Sequence, residues 1–206
     1  MNAIDSDTSF ASMKSTSSLK LMLVDQSTPR RDILEKILRD SGYVNVFATS
    51  GLSDVFSLVD RIAPDVVLIE LDSPNRDTLE QLRAIREQRP TPVLMFAHDQ
   101  DAQTVHAAVD SGVCAYMVDS VDLNTVKPAI ALAMATFNAY RRVRAEADAY
   151  RKELGTQKRL DRAKSLLMEK HSLSESEAYR TMRKMAMDEN KKLNVIAEGI
   201  ILGHYC

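Results

Sequence analysis

Two constellations of residues carry most of the chemistry open to this chain. The stretch VVLIELDSPNRD, Val66 to Asp77, closes an apolar run with Glu70, the pattern by which a buried parallel strand brings a carboxylate to the rim of a sheet. Asp25 and Gln26 end a similar run, Ala97 ends another and Asp119 a fourth. Ligand chemistry in open parallel sheets gathers at the carboxyl ends of the strands, so Asp25, Gln26, Glu70, Ala97 and Asp119 form one candidate site. The second constellation is cationic: Lys158, Arg159, Arg162, Lys164, Arg180, Arg183, Lys184, Lys191 and Lys192. Such side chains neutralise phosphates, and Arg also stacks on splayed bases. Other chemistry is poorly supplied. The six glycines build no phosphate-cradling loop, and His98, His106, His171 and His204 are dispersed without metal spacing or a nucleophile partner, which argues against an enzyme. Cys114 lies in an apolar strand-like stretch and Cys206 stands alone, so neither a metal nor a cofactor is expected.

The elements that position these residues are legible in composition and periodicity. With 206 residues, 45% hydrophobic and 27% charged, the chain can bury a core in one domain plus a smaller unit. Its net charge of -2 hides an asymmetry: 12 Lys and Arg against 19 Asp and Glu over residues 1–138, but 15 against 10 over residues 139–206. An acidic module followed by a basic one suggests that the second part meets a polyanion, with a solvated helical surface as the alternative. Residues 1–18 are rich in Ser and Thr, lack an apolar segment and read as a disordered tail, not a secretory signal. The apolar run Ala129 to Phe137 is far short of the roughly 20 residues of a membrane span, so no membrane contact and a cytoplasmic location are expected.

Between residues 19 and 128 strand and helix signals alternate. Leu19–Val24, Val44–Ala48, Val66–Ile69, Val93–Phe96 and Ala115–Val118 read as strands. Ser27-Thr28-Pro29 announces a helix carrying Ile33, Leu34, Ile37 and Leu38 and stopped by Gly42. Ser53 is read as the cap of a second helix, with Val55, Phe56 and Val59 on its apolar face and Pro64 at its end. A third helix starts near Asp77 and carries Leu79, Leu82 and Ile85; a fourth carries Val105, Ala108 and Val109 and closes at Gly112. Five such units predict an α/β fold, a five-stranded parallel sheet with helices on both faces.

In "LMLVD", "PDVVLIE" followed by Pro74 and "DTLE", and "GVCAYMV", this region resembles the CheY-like receiver domain of bacterial response regulators. The resemblance implies two acids after the first strand that hold Mg²⁺, an aspartate after the third that accepts phosphate, a Thr or Ser after the fourth and a Lys after the fifth. Here those positions hold Asp25-Gln26, Glu70, Ala97 and Asp119. A neutral amide replaces one carboxylate ligand, the extra methylene of Glu70 moves its carboxylate out of line for phosphoryl transfer, Ala97 has no hydroxyl, and Asp119 reverses a stabilising charge. The expectation is a pseudo-receiver that takes no phosphate. Glu70 is then either a mimic of the phosphorylated state or a leftover polar residue, and the missing Lys favours the latter. A phosphorylatable domain using a non-standard acceptor such as Asp72 is the alternative.

From Asp122 to about His171 only Pro128 and Gly155 interrupt a helical pattern, Pro128 marking a kink or the true start. Tyr140, Val143, Ala147, Tyr150 and Leu154 recur at three and four residues, the spacing of a coiled-coil seam across a linker helix placed at 129–157. They predict a parallel homodimer, with packing of this helix on its own chain as the alternative.

Residues 158–206 complete the plan. Ser174 with Glu177 forms a capping box for a helix running to about Met187, and a further helix starts near Lys192 and buries Leu193, Ile196, Ala197 and Ile200. With Leu160, Ala163 and Leu167 these form an all-α three-helix module, its core including Ala163, Met168, Ala178, Met182 and Met187. "RAKSLLME", "SESEAYRTMRKMAM" and "KKLNVIAEGII" stand in the order and spacing of the ANTAR family, which this region resembles across 151–202. That resemblance implies binding of paired RNA hairpins in nascent leaders and prevention of terminator formation. With few aromatics in the module, only Tyr179 and Tyr205, the readout is expected to be polar and electrostatic. A DNA-binding response regulator and a protein adaptor are the rival readings. The whole arrangement is similar to nitrate-responsive antiterminators of the NasT type, with amide-responsive regulators more distant. It implies control of nitrate or nitrite assimilation genes by a cytoplasmic nitrate-sensing repressor protein that sequesters the regulator until nitrate appears.

Overall fold

The computed structural model describes residues 15–51, 54–118 and 122–205. The expected cap Ser53, the site residue Asp119, Cys206 and most of the expected tail lie outside them. Thr16–Ser18 form one 3-10 turn, which Asn45 fastens by donating its side-chain amide to Ser17 O at 3.2 Å. The chain divides into two compact units, residues 1–140 and 141–206.

In the first unit strands and helices alternate as β1 (Lys20–Asp25), α1 (Thr28–Asp40), β2 (Asn45–Thr49), α2 (Val55–Ile62), β3 (Val66–Leu71), α3 (Arg76–Gln88), β4 (Val93–Ala97), α4 (Ala102–Asp110) and β5 (Val113–Val118). All strand pairs are parallel, in the order β2-β1-β3-β4-β5. Both faces of this sheet are covered, which is why β1, β3 and β4 read as continuous apolar runs without alternation. Leu21, Leu23, Leu68, Leu94 and Phe96 face Leu34 and Leu38 of α1, together with Val126, Ala129, Ile130 and Ala133 at the start of α5 (Val126–His171). Met22, Val24, Val67, Ile69 and Met95 face the apolar sides of α2, α3 and α4. Because Ala129, Ile130 and Ala133 serve this core, the first unit continues past residue 128 as far as Tyr140.

The element ends have local causes. Gly42 leaves α1 at φ 93°, a conformation that a side chain disfavours. Asn75 caps α3 by accepting from Thr78 N at 2.8 Å, and Asp101 caps α4 by accepting from Thr104 N at 3.0 Å. Pro128 sits in the first turn of α5, so it marks the start of that helix and not a kink. Gly155 is carried inside the helix.

The second unit contains the rest of α5 with α6 (Glu175–Asp188) and α7 (Leu193–Ile201). Ser174 and Glu177 form the expected capping box. Ala163, Leu167, Ala178, Met182, Ile196, Ala197 and Ile200 are buried together. Leu193 is only half-buried. Met168 and Met187 are not core residues; Met187 is 76% exposed. The helical period explains the correction: Met187 lies nine residues after Ala178 and Met168 five after Ala163, offsets that turn both away from the buried stripe.

Candidate functional site

Asp25 closes β1 and pairs in register with Glu70 of β3, while Leu71 pairs with Ala97 at the end of β4. The sheet therefore brings together four of the five strand-end positions singled out in the sequence: Asp25, Gln26 beside it, Glu70 and Ala97. Asp25 and Glu70 are both buried and Ala97 offers only a methyl group, whereas Gln26 is exposed. Asp72, just beyond β3, is exposed.

A residue not anticipated from the sequence organises this pocket. Arg30, in the first turn of α1, donates from Nε to Asp25 Oδ2 at 2.8 Å and from Nη2 to Asp25 Oδ1 at 3.0 Å. Its Nη1 reaches Asp72 Oδ1 at 3.3 Å, and its Nε lies 3.8 Å from Glu70 Oε1. Ser27 N donates to Asp25 Oδ1 at 2.8 Å and Arg31 Nη1 to Asp25 O at 3.1 Å, so the strand end is clamped from three directions. The hydrogen bond to Asp25 raises Arg30 further above its already high ordinary range. The sequence did hold a signal: the first turn of α1 contains two arginines and no acid, against the helix dipole, an arrangement that calls for a carboxylate partner nearby.

Glu70 extends towards apolar neighbours. Leu23, Leu34, Leu38, Leu68, Ile69 and Phe96 surround it, and its Oε2 is buried without a hydrogen-bond partner. Burial pushes its pKa up to about 7; Arg30 opposes the shift, and Asp25 and Asp72 add to it. Near neutrality such a group is divided between its protonated and ionised forms, and buried beside apolar side chains it is poorly placed to attack phosphorus. Nor do the residues fit the divalent cation of the receiver fold. Both Asp25 oxygens already accept from Arg30, the second acid position holds exposed Gln26, and no cluster of three His, Cys, Asp or Glu among the described residues has metal-holding geometry.

The cationic constellation lies in the second unit. Lys158 and Arg162 are one helical turn apart on the exposed side of α5, and Arg159 is exposed nearby, 3.5 Å from Thr156 Oγ1. On α6, Arg180, Arg183 and Lys184 lie on the face opposite Ala178 and Met182, beside exposed Met187. Lys192 is the N-cap of α7. Among the described residues no carboxylate lies within ion-pair distance of Lys158, Arg162, Arg183, Lys184 or Lys192. Two of the nine differ. Lys164 has a side chain only 17% exposed and is held between Asp161 at 2.9 Å and Glu175 at 2.7 Å, so it ties α5 to the start of α6. Lys191 pairs with Glu189 at 2.7 Å.

Of the seam positions, Val143, Tyr150 and Leu154 are 65%, 68% and 62% exposed, and Ala147 is half-buried. Tyr140 is also exposed but is engaged within the first unit: Arg86 lies 5.6 Å over its ring, and Arg86 Nη2 donates to its hydroxyl at 3.3 Å.

Comparison with known proteins assigns the family. The response regulator receiver domain model matches residues 21–131, more than half of the chain. The chain belongs to the response regulator receiver family. This response regulator also carries an ANTAR domain, matched over residues 148–201. It is similar to the transcriptional regulatory protein PdtaR of Mycobacterium tuberculosis, with 28% identity over 181 residues and 88% of each chain covered. Solved structures agree on the receiver fold. A pilus assembly-related protein of Burkholderia pseudomallei shares 18% identity at a TM-score of 0.55, over 60% of this chain and 95% of that one. The receiver domain of a modulated diguanylate cyclase from Desulfovibrio desulfuricans shares 16% identity at a TM-score of 0.52, over 59% and 98%. No helix among the described residues of this response regulator is long and apolar enough to cross a membrane.

Proposed function

We propose that this response regulator is a non-enzymatic, RNA-binding transcription antiterminator that grips paired hairpins in leader transcripts and prevents termination. The observation that carries the reading is the set of exposed cations with no ion-pair partner among the described residues, Lys158, Arg162, Arg183, Lys184 and Lys192, on a helical module that matches the ANTAR domain. Cations free of carboxylate partners are available to replace condensed counterions along a nucleic-acid backbone. The name of the relative PdtaR, a transcriptional regulatory protein, agrees with a role in transcription.

Two copies would be joined in parallel through Val143, Ala147, Tyr150 and Leu154, whose exposure at heptad spacing leaves an apolar stripe along α5 to be covered. A dimer presents two cationic modules, and two hairpins on one transcript gain from linkage. The receiver portion acts as a pseudo-receiver, its acid pocket closed to phosphate by the burial of Glu70, by Arg30 on Asp25 and by the missing hydroxyl at Ala97. Control then falls to a partner protein. The similarity to NasT-type antiterminators makes that partner a cytoplasmic nitrate-sensing repressor and the targets nitrate or nitrite assimilation genes.

Gel shifts at stated salt test the reading, with two-hairpin leader RNA, one-hairpin RNA and duplex DNA as competing ligands. Tighter binding of the two-hairpin RNA than of either competitor is expected. Preference for duplex DNA, or equal affinity for all three, overturns it.

A further inference from the structure

We propose that Arg30 is a built-in cation that takes the place of a divalent metal ion in the acid pocket of the receiver fold, giving buried Asp25 its counter-charge from within the chain and keeping the pocket closed to metal at every Mg²⁺ concentration of the cell. The inference deepens the pseudo-receiver reading and rests on it: that reading says the pocket takes no phosphate, and Arg30 says what fills the pocket instead.

The argument begins with charge. Asp25 is fully buried, Glu70 lies beside it in register on the next strand, and Asp72 stands just past the strand end. Buried carboxylates require a counter-charge, and a sheet edge of this kind has two ways to obtain one: a hard cation held by oxygen ligands, or a side chain. Arg30 provides the second. Its planar fork matches both oxygens of Asp25 at 2.8 and 3.0 Å, while the third nitrogen turns to Asp72 at 3.3 Å. One guanidinium thus touches both acids that flank the pocket and approaches Glu70 to 3.8 Å.

A metal ion and this guanidinium exclude each other. A Mg²⁺ ion would sit about 2.1 Å from its carboxylate oxygens, inside the volume that the Arg30 nitrogens occupy, and would need acceptors already in use. Ser27 N holds Asp25 Oδ1 from a further side, which fixes the carboxylate in the orientation that Arg30 uses. The oxygen left over, Glu70 Oε2, is buried without a partner, so the guanidinium meets the charge of the pocket without meeting all its hydrogen-bonding capacity. The placement of Arg30 in the first turn of α1, where the helix dipole disfavours a cation, shows that a compensating interaction holds it there.

Mn²⁺ titration of the full chain followed by electron paramagnetic resonance tests the proposal, alongside thermal unfolding with and without MgCl₂. The wild-type protein is expected to leave Mn²⁺ free up to millimolar concentrations and to unfold at the same temperature whether Mg²⁺ is present or not. Arg30→Met is expected to bind Mn²⁺ at least an order of magnitude more tightly than wild type and to be stabilised by Mg²⁺. Arg30→Gln, which keeps a polar group in the pocket, is the second variant should Arg30→Met fail to fold. Millimolar Mn²⁺ binding by the wild type, or a folded Arg30 variant with no gain in Mn²⁺ binding, overturns the proposal. Exposure of the wild type to acetyl phosphate separates the two levels of argument. A stable phosphoryl adduct overturns the pseudo-receiver reading, whereas Mn²⁺ uptake without an adduct overturns only the role given to Arg30.

Discussion

Arg30 and Asp25 are joined by two parallel hydrogen bonds of 2.8 and 3.0 Å between a partly exposed guanidinium and a fully buried carboxylate. The asymmetry in exposure makes the two deletions unequal. Asp25→Ala leaves a guanidinium that can turn to water, whereas Arg30→Ala strands a carboxylate inside the sheet edge. Removing one member of a fully buried pair costs about 3–5 kcal/mol; discounted for the exposure of Arg30, about 2 kcal/mol is expected for Arg30→Ala. Urea unfolding should show the larger loss for Arg30→Ala. A larger loss for Asp25→Ala would mean that Asp25 acts chiefly through Ser27 N and not through the ion pair.

Glu70 ties stability to pH. Its folded pKa, pushed up to about 7 from an ordinary 4.5, means that between these values the folded chain keeps a proton that the unfolded chain has lost. Stability from this group is therefore present at low pH, falls as pH rises towards 7 and is level above that. Glu70→Gln removes the dependence: it should be near neutral at pH 5 and stabilising at pH 8, by on the order of 3 kcal/mol at most. Chemical denaturation of both proteins at the two pH values checks the sign, and a variant no more stable at pH 8 than at pH 5, relative to wild type, would refute it.

The nine cations should not contribute equally to RNA binding. Arg183→Ala is expected to weaken hairpin binding and to lower the slope of log affinity against log salt by about one, as for a lost phosphate contact. Lys164→Ala should leave that slope nearly unchanged and instead reduce the thermal stability of the helical unit, because its ammonium is engaged with Asp161 and Glu175. Filter binding at several salt concentrations, paired with circular dichroism melts, distinguishes the two kinds of loss.

Val143, Tyr150 and Leu154 are exposed at heptad spacing along α5. Tyr150→Glu combined with Leu154→Glu is expected to convert a dimer into a monomer in sedimentation velocity while leaving helix content unchanged. An unchanged sedimentation coefficient would remove the coiled-coil assignment.

Tyr205 packs against Gly199 of α7 so closely that a β-carbon on Gly199 would clash with its ring. The hydroxyl donates to Glu189 Oε2 at 2.8 Å, and this bond raises the tyrosine pKa. Gly199→Ala should displace the ring, break the bond and lower the pKa of Tyr205 towards the ordinary phenol value, which ultraviolet difference titration can follow. A titration curve identical to wild type would show that the ring accommodates the methyl group in place.

Most of the fold was legible because its signals are local. Apolar runs ended by acids, Pro29, Gly42 and the Ser174–Glu177 box located nearly every element within a residue or two. Four of the strand-end residues converge because parallel register carries them to the same edge. Arg30 escaped notice because it lies on a helix, and only the packing of α1 over β1 and β3 turns it into the pocket. Lys164 looked like its cationic neighbours for the same reason: whether a lysine faces a phosphate or a carboxylate depends on what packs one helix away. Met168 and Met187 are exposed despite their apolar side chains, because helical phase and not residue type decides which side of a helix is buried.

The strand order β2-β1-β3-β4-β5 has a kinetic consequence. Leu21 must find Val66 before the sheet has a centre, a closure across 45 residues that also joins Lys20 N to Asp65, whereas α6 and α7 meet across a short turn. Contacts distant in sequence form slowly and neighbouring ones quickly. Refolding from denaturant should therefore show two phases, with helical signal from residues 141–206 recovered first and the tyrosines of the sheet domain reporting the slower step.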